Sequence, residues 1–158
     1  MKIETWAIGE TSFEHLEEGI AMYSQRIERL LPSYAAQIIP DVKQAKNLSE
    51  SQLKSKEAEA ILKKLDKNDI LVLLDENGQQ FTSRQFAEKL DFWQQQQGKK
   101  IVFLIGGAFG FDEEIYERAN AKVALSKLTF SHQLVRLIWA EQLYRALAIL
   151  NNLPYHHD

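Results

Sequence analysis

Four stretches in the last third of this chain carry residue types that could do chemistry. They are Gly106-Gly107-Ala108-Phe109-Gly110, the run Leu125-Ser126-Lys127-Leu128-Thr129-Phe130-Ser131-His132, the pair Glu141 and Arg145, and the end Pro154-Tyr155-His156-His157-Asp158. Adjacent glycines let a ligand or another backbone approach without Cβ atoms in the way, although a tight strand-to-helix turn asks for the same residues. They lack the G-x-G-x-x-G spacing of a dinucleotide site, and the sequence holds no G-x-x-x-x-G-K-[ST] phosphate loop. Leu125 to Phe130 alternates neither like a strand nor like an amphipathic helix, so it reads as a structured loop. Its backbone N–H and C=O groups between aliphatic side chains suit an adenine ring in an apolar pocket; a plain connector over the core is the other reading.

The remaining groups narrow the chemistry. Ser131-His132 is no hydrolytic dyad, because neighbouring helical residues point about 100° apart and no third residue is placed to orient them. His156-His157-Asp158 is a poor metal set, since consecutive residues rarely close a coordination shell, so no metal is expected. Pro154 stiffens the chain and can aim Tyr155 and His156, where a chain end otherwise frays. Zero cysteines exclude disulfides, thiolate metal sites and cysteine nucleophiles, and fit a reducing compartment.

An alternation of strands and helices must position these residues. Met1 to Ile8 reads as a strand, with Gly9 and Thr11-Ser12 as a turn and helix cap. Phe13, Leu16, Ile20, Tyr23, Ile27 and Leu30 then recur at helical steps up to Pro32. A short strand over Ala36 to Ile39 and a polar loop to Ser51 lead to a charged helix capped by Asn47 or Ser49. Asp69 to Asp75 is an apolar run expected of a strand buried on both faces. Asn77-Gly78 reads as a turn, Thr82 or Ser83 as the cap of a helix that Gly98 ends, and Ile101 to Ile105 as the next strand. A short helix capped near Asp112, a strand over Val123 to Leu125 and a last helix from Ser131 or His132 to Leu150 complete the pattern. It argues for an α/β fold, a mostly parallel sheet with helices on both faces, in one domain spanning 1–158. Both irregular segments follow strands, where open α/β sheets keep their ligands.

The last helix is apolar nearly all round, from Leu134 and Val135 through Trp139 to Leu147 and Ile149. Full coverage of such a helix in a domain this small argues for a homodimer. Arg136, Glu141, Gln142 and Arg145 need partners there, and Glu141 and Arg145 stand at i, i+4. The chain has 158 residues, 45% of them hydrophobic, and a formal net charge of -3. From Arg118 onward five basic residues face two acidic ones, a local +3 that leaves -6 for the rest. No apolar run approaches the roughly 20 residues of a membrane span, and the N-terminus lacks signal-peptide architecture, so a cytoplasmic protein is expected.

Taken in order, Met1-Lys2-Ile3 with Ala7-Ile8-Gly9, Leu74-Asp75-x-x-Gly78, Leu104-Ile105-Gly106-Gly107-x-x-Gly110, Leu125-Ser126-x-Leu128-Thr129-Phe130, and Leu134-Val135-Arg136 through Glu141-Gln142-Leu143-Tyr144-Arg145-Ala146 to Pro154-Tyr155-His156 resemble the ribosomal RNA large subunit methyltransferase H family of the SPOUT class. Ser131 departs from the family's usual proline before the histidine, a change expected to loosen the start of the last helix. The resemblance implies a C-terminal deep trefoil knot over about 70–158, an exception to unknotted topology. It implies binding of S-adenosyl-L-methionine through Leu74, Gly106, Gly107, Leu125, Ser126, Lys127, Leu128, Thr129 and Phe130. It further implies methyl transfer to N3 of a pseudouridine in 23S ribosomal RNA within the assembled 70S ribosome, with no metal and no membrane. Arg145 and His132 are then expected to act electrostatically or by positioning, with Tyr155 and His156 arranging the base, across the dimer. Lysine and arginine should stay away from the cofactor's cationic sulfur. A non-catalytic ribosome-associated protein of the same fold is the alternative, and a nucleotide-dependent oxidoreductase is disfavoured by the missing fingerprint.

Overall fold

Side-chain alternation along three apolar strands sets the layers of the fold. The computed structural model describes residues 1–158. In β1 (Lys2–Ile8), Ile3 and Ala7 face one core, while Trp6 and Ile8 face the other. β4 (Lys100–Ile105) repeats the pattern, with Ile101, Phe103 and Ile105 against Val102 and Leu104. β3 (Ile70–Gln79) sends Ile70 and Val72 one way and Leu71 and Leu73 the other. With both faces covered, these strands have no polar side to show: β3 over 70–74 and β4 over 101–105 are continuously apolar, and β1 interrupts its apolar run only with Glu4 and Thr5, themselves buried. β2 (Ala35–Ile39) and β5 (Ala121–Val123) are the edges, giving the order β2-β1-β4-β3-β5. Every pairing is parallel, so the sheet expected to be mostly parallel is wholly so.

Three helices supply the first layer: α1 (Glu14–Leu30), α3 (Ser83–Gln94) and α5 (Leu134–Leu150). Ile27, Phe86, Leu90, Trp93, Trp139, Leu143 and Leu147 enter the core beneath them. Trp139 lies at the centre with its ring 4.6 Å from that of Phe103, and its indole N–H donates to Thr5 Oγ1 at 3.0 Å. α2 (Glu50–Lys64) and α4 (Glu113–Arg118) cover the opposite face through Ala58, Ile61 and Ile115. Of the proposed caps Ser49, not Asn47, opens α2 and Thr82, not Ser83, opens α3, each in a capping box, with Gln52 and Gln85.

Several expectations are corrected. Thr11 and Ser12 do not cap α1; Phe13 stands there without a side-chain bond, and Ser12 N–H instead donates to Gln133 Oε1 at 2.8 Å. Asn77-Gly78 does not end a strand but lies inside β3, where the pairing with β5 shifts register between Leu74 and Gln79. The glycine is needed for the close approach to β5, not for a turn, because a Cβ on Gly78 would sit 2.6 Å from Val123 N and 2.7 Å from Lys122 C. α3 ends at Gln94, before Gly98. β5 runs over 121–123 rather than 123–125, and α5 begins at Leu134, later than expected. No helix is long and apolar enough to cross a membrane.

The all-round apolarity of α5 finds much of its cover within the chain itself, between α1 and α3. Gly19 packs so closely that a Cβ there would lie 2.8 Å from Leu137 Cδ1. A strip at i, i+4 and i+7 stays partly open: Leu134 is exposed, and Ile138 and Glu141 are half-buried.

Candidate functional site

The carboxyl ends of β3 and β4 open into a cavity of about 550 Å³. Its floor is Leu74 and Ile105, its near wall the Gly106–Gly110 turn, and its far wall Leu125, Ser126 and Leu128 to His132, with Val135 behind. This size suits a small organic ligand, and the position is where parallel sheets bind them. Gly107 and Gly110 form an isolated bridge, and Gly110 has φ of 79°, a left-handed conformation that an L side chain would strain. A Cβ on Gly106 would lie 3.1 Å from the Phe111 ring, and one on Gly107 3.1 Å from a Glu57 carboxylate oxygen. The turn therefore needs glycine at 110 for its backbone conformation, and side chains at 106 and 107 would press on Phe111 and Glu57.

The far wall is held from both ends. Leu128 N–H donates to Ser126 Oγ at 3.0 Å, and the Thr129 hydroxyl donates to Glu76 Oε2 at 3.0 Å. Ser131 stands three residues before α5: its Oγ accepts from Leu134 N–H at 3.0 Å, and its carbonyl accepts from Val135 N–H at the same distance. It satisfies one of the first-turn donors that every helix leaves open. Behind this start, Arg136 donates to the carbonyls of Gly9 and Ile8, each at 2.7 Å. The guanidinium expected to need an ion pair is therefore met by backbone oxygen. Burial draws its pKa below the ordinary value, against the pull of Asp41 and Glu10.

Of the residues expected to hold a cofactor, Leu74, Gly106, Gly107, Leu125, Ser126, Leu128, Thr129 and Phe130 line this cavity, and Lys127 does not. No lysine or arginine lines it, while Asp75 and Glu76 do. Of the residues expected to act on a substrate, only His132 is there. Arg145, Tyr155 and His156 gather further along α5, roughly 16 Å from its start at 1.5 Å per residue. There the Arg145 guanidinium donates to Glu141 Oε1 at 2.5 Å and meets His156 Nδ1 at 3.1 Å, and Tyr155 O–H donates to Glu141 at 2.9 Å. The hydrogen bond to Glu141 raises the Arg145 pKa, so this side chain stays cationic. Burial, then Tyr23 and Glu141, push the Tyr155 phenol well above its usual range.

The chain end is tied back, not frayed: His156 Nε2 lies 2.9 Å from Asp158, whose carboxylate accepts from Arg84 at 2.9 Å. No three metal-ligating side chains converge. Sequence reasoning missed one polar pair on the cavity wall, Tyr116 donating to Asp75 at 2.5 Å. Asp75, a carboxylate ending an apolar strand, was a signal; Tyr116 in a short helix gave none.

Comparison with known proteins places this geometry. The family described as "Predicted SPOUT methyltransferase" matches residues 1–156. A protein of Parabacteroides distasonis named ribosomal RNA large subunit methyltransferase H is 49% identical over 158 residues, covering all of both chains. One of the same name from Flavobacterium johnsoniae is 50% identical over 158 residues, again covering both chains completely. Among solved structures, one described as giving structural insights into the 2-OH methylation of C/U34 on tRNA aligns with a TM-score of 0.50 at 12% identity, covering 96% of this chain and 97% of the other. That likeness concerns the fold.

Proposed function

The chain belongs to the SPOUT methyltransferase family, in its ribosomal RNA large subunit methyltransferase H branch, and on that footing we propose that it methylates N3 of a pseudouridine in 23S ribosomal RNA within the assembled 70S ribosome. The observation that carries this reading is the cavity at the ends of β3 and β4, walled by the segments that the family resemblance assigns to the cofactor. Its residues fit S-adenosyl-L-methionine: aliphatic walls for adenine, free backbone in the glycine turn and the 125–130 loop, and no ammonium or guanidinium against a cationic sulfur. When bound, S-adenosyl-L-methionine supplies the methyl group.

The protein's own residues have three tasks: to place the base, to oppose the negative charge left when N3 loses its proton, and to keep the partners in line. His132 stands at the cavity rim, where the base must arrive. Arg145, permanently cationic, opposes the charge. Tyr155 keeps its proton and serves as a donor that holds Glu141, which in turn fixes Arg145. It is not the proton acceptor at neutral pH.

Because Arg145, Tyr155 and His156 lie far along α5 from the cavity of the same subunit, the complete site is assembled in a homodimer. The half-open strip of Leu134, Ile138 and Glu141 is the contact face, and a second subunit presents its own arginine cluster to this cavity. A trefoil passage of the segment after β5 belongs to this reading. RNA affinity comes from the mildly basic C-terminal third and the shape of the ribosome in the cytoplasm, not from a basic domain.

The test is mass spectrometry of 23S RNA after 70S ribosomes are incubated with the protein and labelled S-adenosyl-L-methionine. One labelled methyl on a pseudouridine is expected, with little on free RNA; label on another base, or equal labelling of free RNA, refutes the assignment. Arg145→Ala should abolish transfer, roughly a hundredfold or more for a lost charge-stabilising group, with cofactor affinity within about twofold. Loss of cofactor binding would place Arg145 in the cavity instead.

A further inference from the structure

Asp75 and Tyr116 form the strongest polar feature of the cavity wall that the reading above does not use. Asp75 closes the apolar run of β3, and Tyr116 comes from α4 to line the cavity beside it. The phenol donates to Asp75 Oδ2 at 2.5 Å, while Asp75 Oδ1 accepts from the backbone N–H of Asn77 at 2.8 Å. Burial, with Asp75 next, pushes the Tyr116 pKa above its usual range, so the phenol keeps the proton that it donates to Asp75. A carboxylate offers about four lone-pair sites, and these two bonds fix its orientation while leaving acceptor capacity free. Phe111, perpendicular to Tyr116 with centroids 5.8 Å apart, braces the phenol ring from the glycine-turn side. Lys122 sits over the ring of Tyr116 at 5.6 Å, its ammonium facing aromatic carbon. The other acid at the mouth, Glu76, is engaged by Thr129. Asp75 is therefore an oriented carboxylate on the wall of a cavity that lacks any lysine or arginine lining.

We propose that Asp75, held in place by Tyr116, is the counter-charge for a cationic centre of the ligand in this cavity, and that this pair makes binding depend on ligand charge. This rests on the reading that the cavity takes S-adenosyl-L-methionine, which carries two such centres, its sulfonium and its α-ammonium. A fixed carboxylate near either favours the charged ligand, because a charge-assisted contact in a partly desolvated site is stronger than a neutral one. Asp75 is the binding group, and Tyr116 is the positioning residue that holds its free lone pairs toward the ligand.

Isothermal titration calorimetry on the full-length protein tests this with three ligands. S-adenosylmethionine carries both cations, S-adenosylhomocysteine only the ammonium, and 5′-methylthioadenosine neither. Asp75→Asn, which preserves size and an acceptor for Tyr116, should weaken S-adenosylmethionine roughly tenfold and leave methylthioadenosine within about twofold. If S-adenosylhomocysteine weakens equally, the ammonium is the partner; if it holds, the sulfonium is. Tyr116→Phe should act in the same direction, about threefold, and again only on charged ligands. Added salt should weaken S-adenosylmethionine binding to wild type more steeply than to Asp75→Asn. Equal weakening of all three ligands in Asp75→Asn, or no weakening of any, overturns the proposal while wild-type binding leaves the cofactor reading intact. Wild-type protein that binds none of the three overturns the cofactor reading, and this inference with it.

Discussion

At the amino-terminal rim of the sheet charges meet their opposites, whereas at the carboxyl-terminal rim they are left for something else. Below β1, Lys2 lies 2.9 Å from Glu4, whose other oxygen accepts from Trp6 Nε1 at 2.7 Å. Lys100 reaches Asp69 at 3.4 Å, Lys99 reaches Asp66 at 2.5 Å, and Arg118 donates to the carbonyls of Asp66 and Asp69. Above the strands, by contrast, glycines crowd the backbone, Asp41 and Glu57 are near enough to repel, and the cavity wall carries Asp75 without a cation. Two carboxylates show the difference. Burial alone would raise Glu4, but its hydrogen bonds to Lys2 and Trp6 and the nearby Lys100 outweigh it and hold the pKa below the ordinary value. Burial raises Glu57, and Asp41 raises it further. One rim is settled for stability, and the other is kept costly for use.

The sharpest way to break that contrast is Gly78→Ala. Its Cβ would strike β5 backbone at 2.6 Å, which no rotamer relieves, so β5 and the loop after it must shift. A stability loss of about 3 kcal/mol or more, with loss of cofactor binding, is expected in denaturant unfolding and calorimetry. A variant as stable as wild type would remove the close approach of Gly78 to β5 from the account. Next, Glu4→Gln should cost about 2 kcal/mol, because it leaves buried donors poorly matched, while cofactor affinity stays unchanged. The sign follows from the lowered pKa: the stabilisation is present above the ordinary carboxylate value of 4.5 and fades as pH falls through the lower folded value, so the variant should lose less on acidification. A parallel loss of cofactor affinity would join the two rims. The smallest effect, of opposite sign, is expected for Glu57→Gln. Its raised pKa means that ionisation opposes folding as pH rises through the folded value, so the variant should gain under about 1 kcal/mol at pH 7, a half-buried group being partly screened. A loss there would show that Glu57 has a partner that matters more than Asp41.

The sequence made the strands and most helix caps legible, because continuous apolar runs and Ser or Thr followed by Gln three residues on state local physics. Gly78 was misread for the opposite reason: Asn-Gly is a turn signal, but the requirement at Gly78 comes from β5, more than forty residues away. The cavity segments were found through family resemblance, since neither glycine spacing nor the 125–130 run told a pocket from a turn. No local pattern separates His132 from Arg145, Tyr155 and His156; only the length of α5 does so. Asp75 was visible as the end of an apolar run, and its meaning depended on Tyr116.

The fastening of α5 to the turn after β1 also governs how the chain comes into being. Ile8 and Gly9 leave the ribosome early, yet the donors for their carbonyls lie on Arg136, and Thr5 waits for the indole of Trp139. Closing loops of this span precedes any reward, so folding should be slow and dominated by late, non-local steps. During synthesis the first strand keeps one edge open until β4 has been made, and its fastening to α5 waits for nearly the whole chain, a stretch of time in which premature association is the hazard.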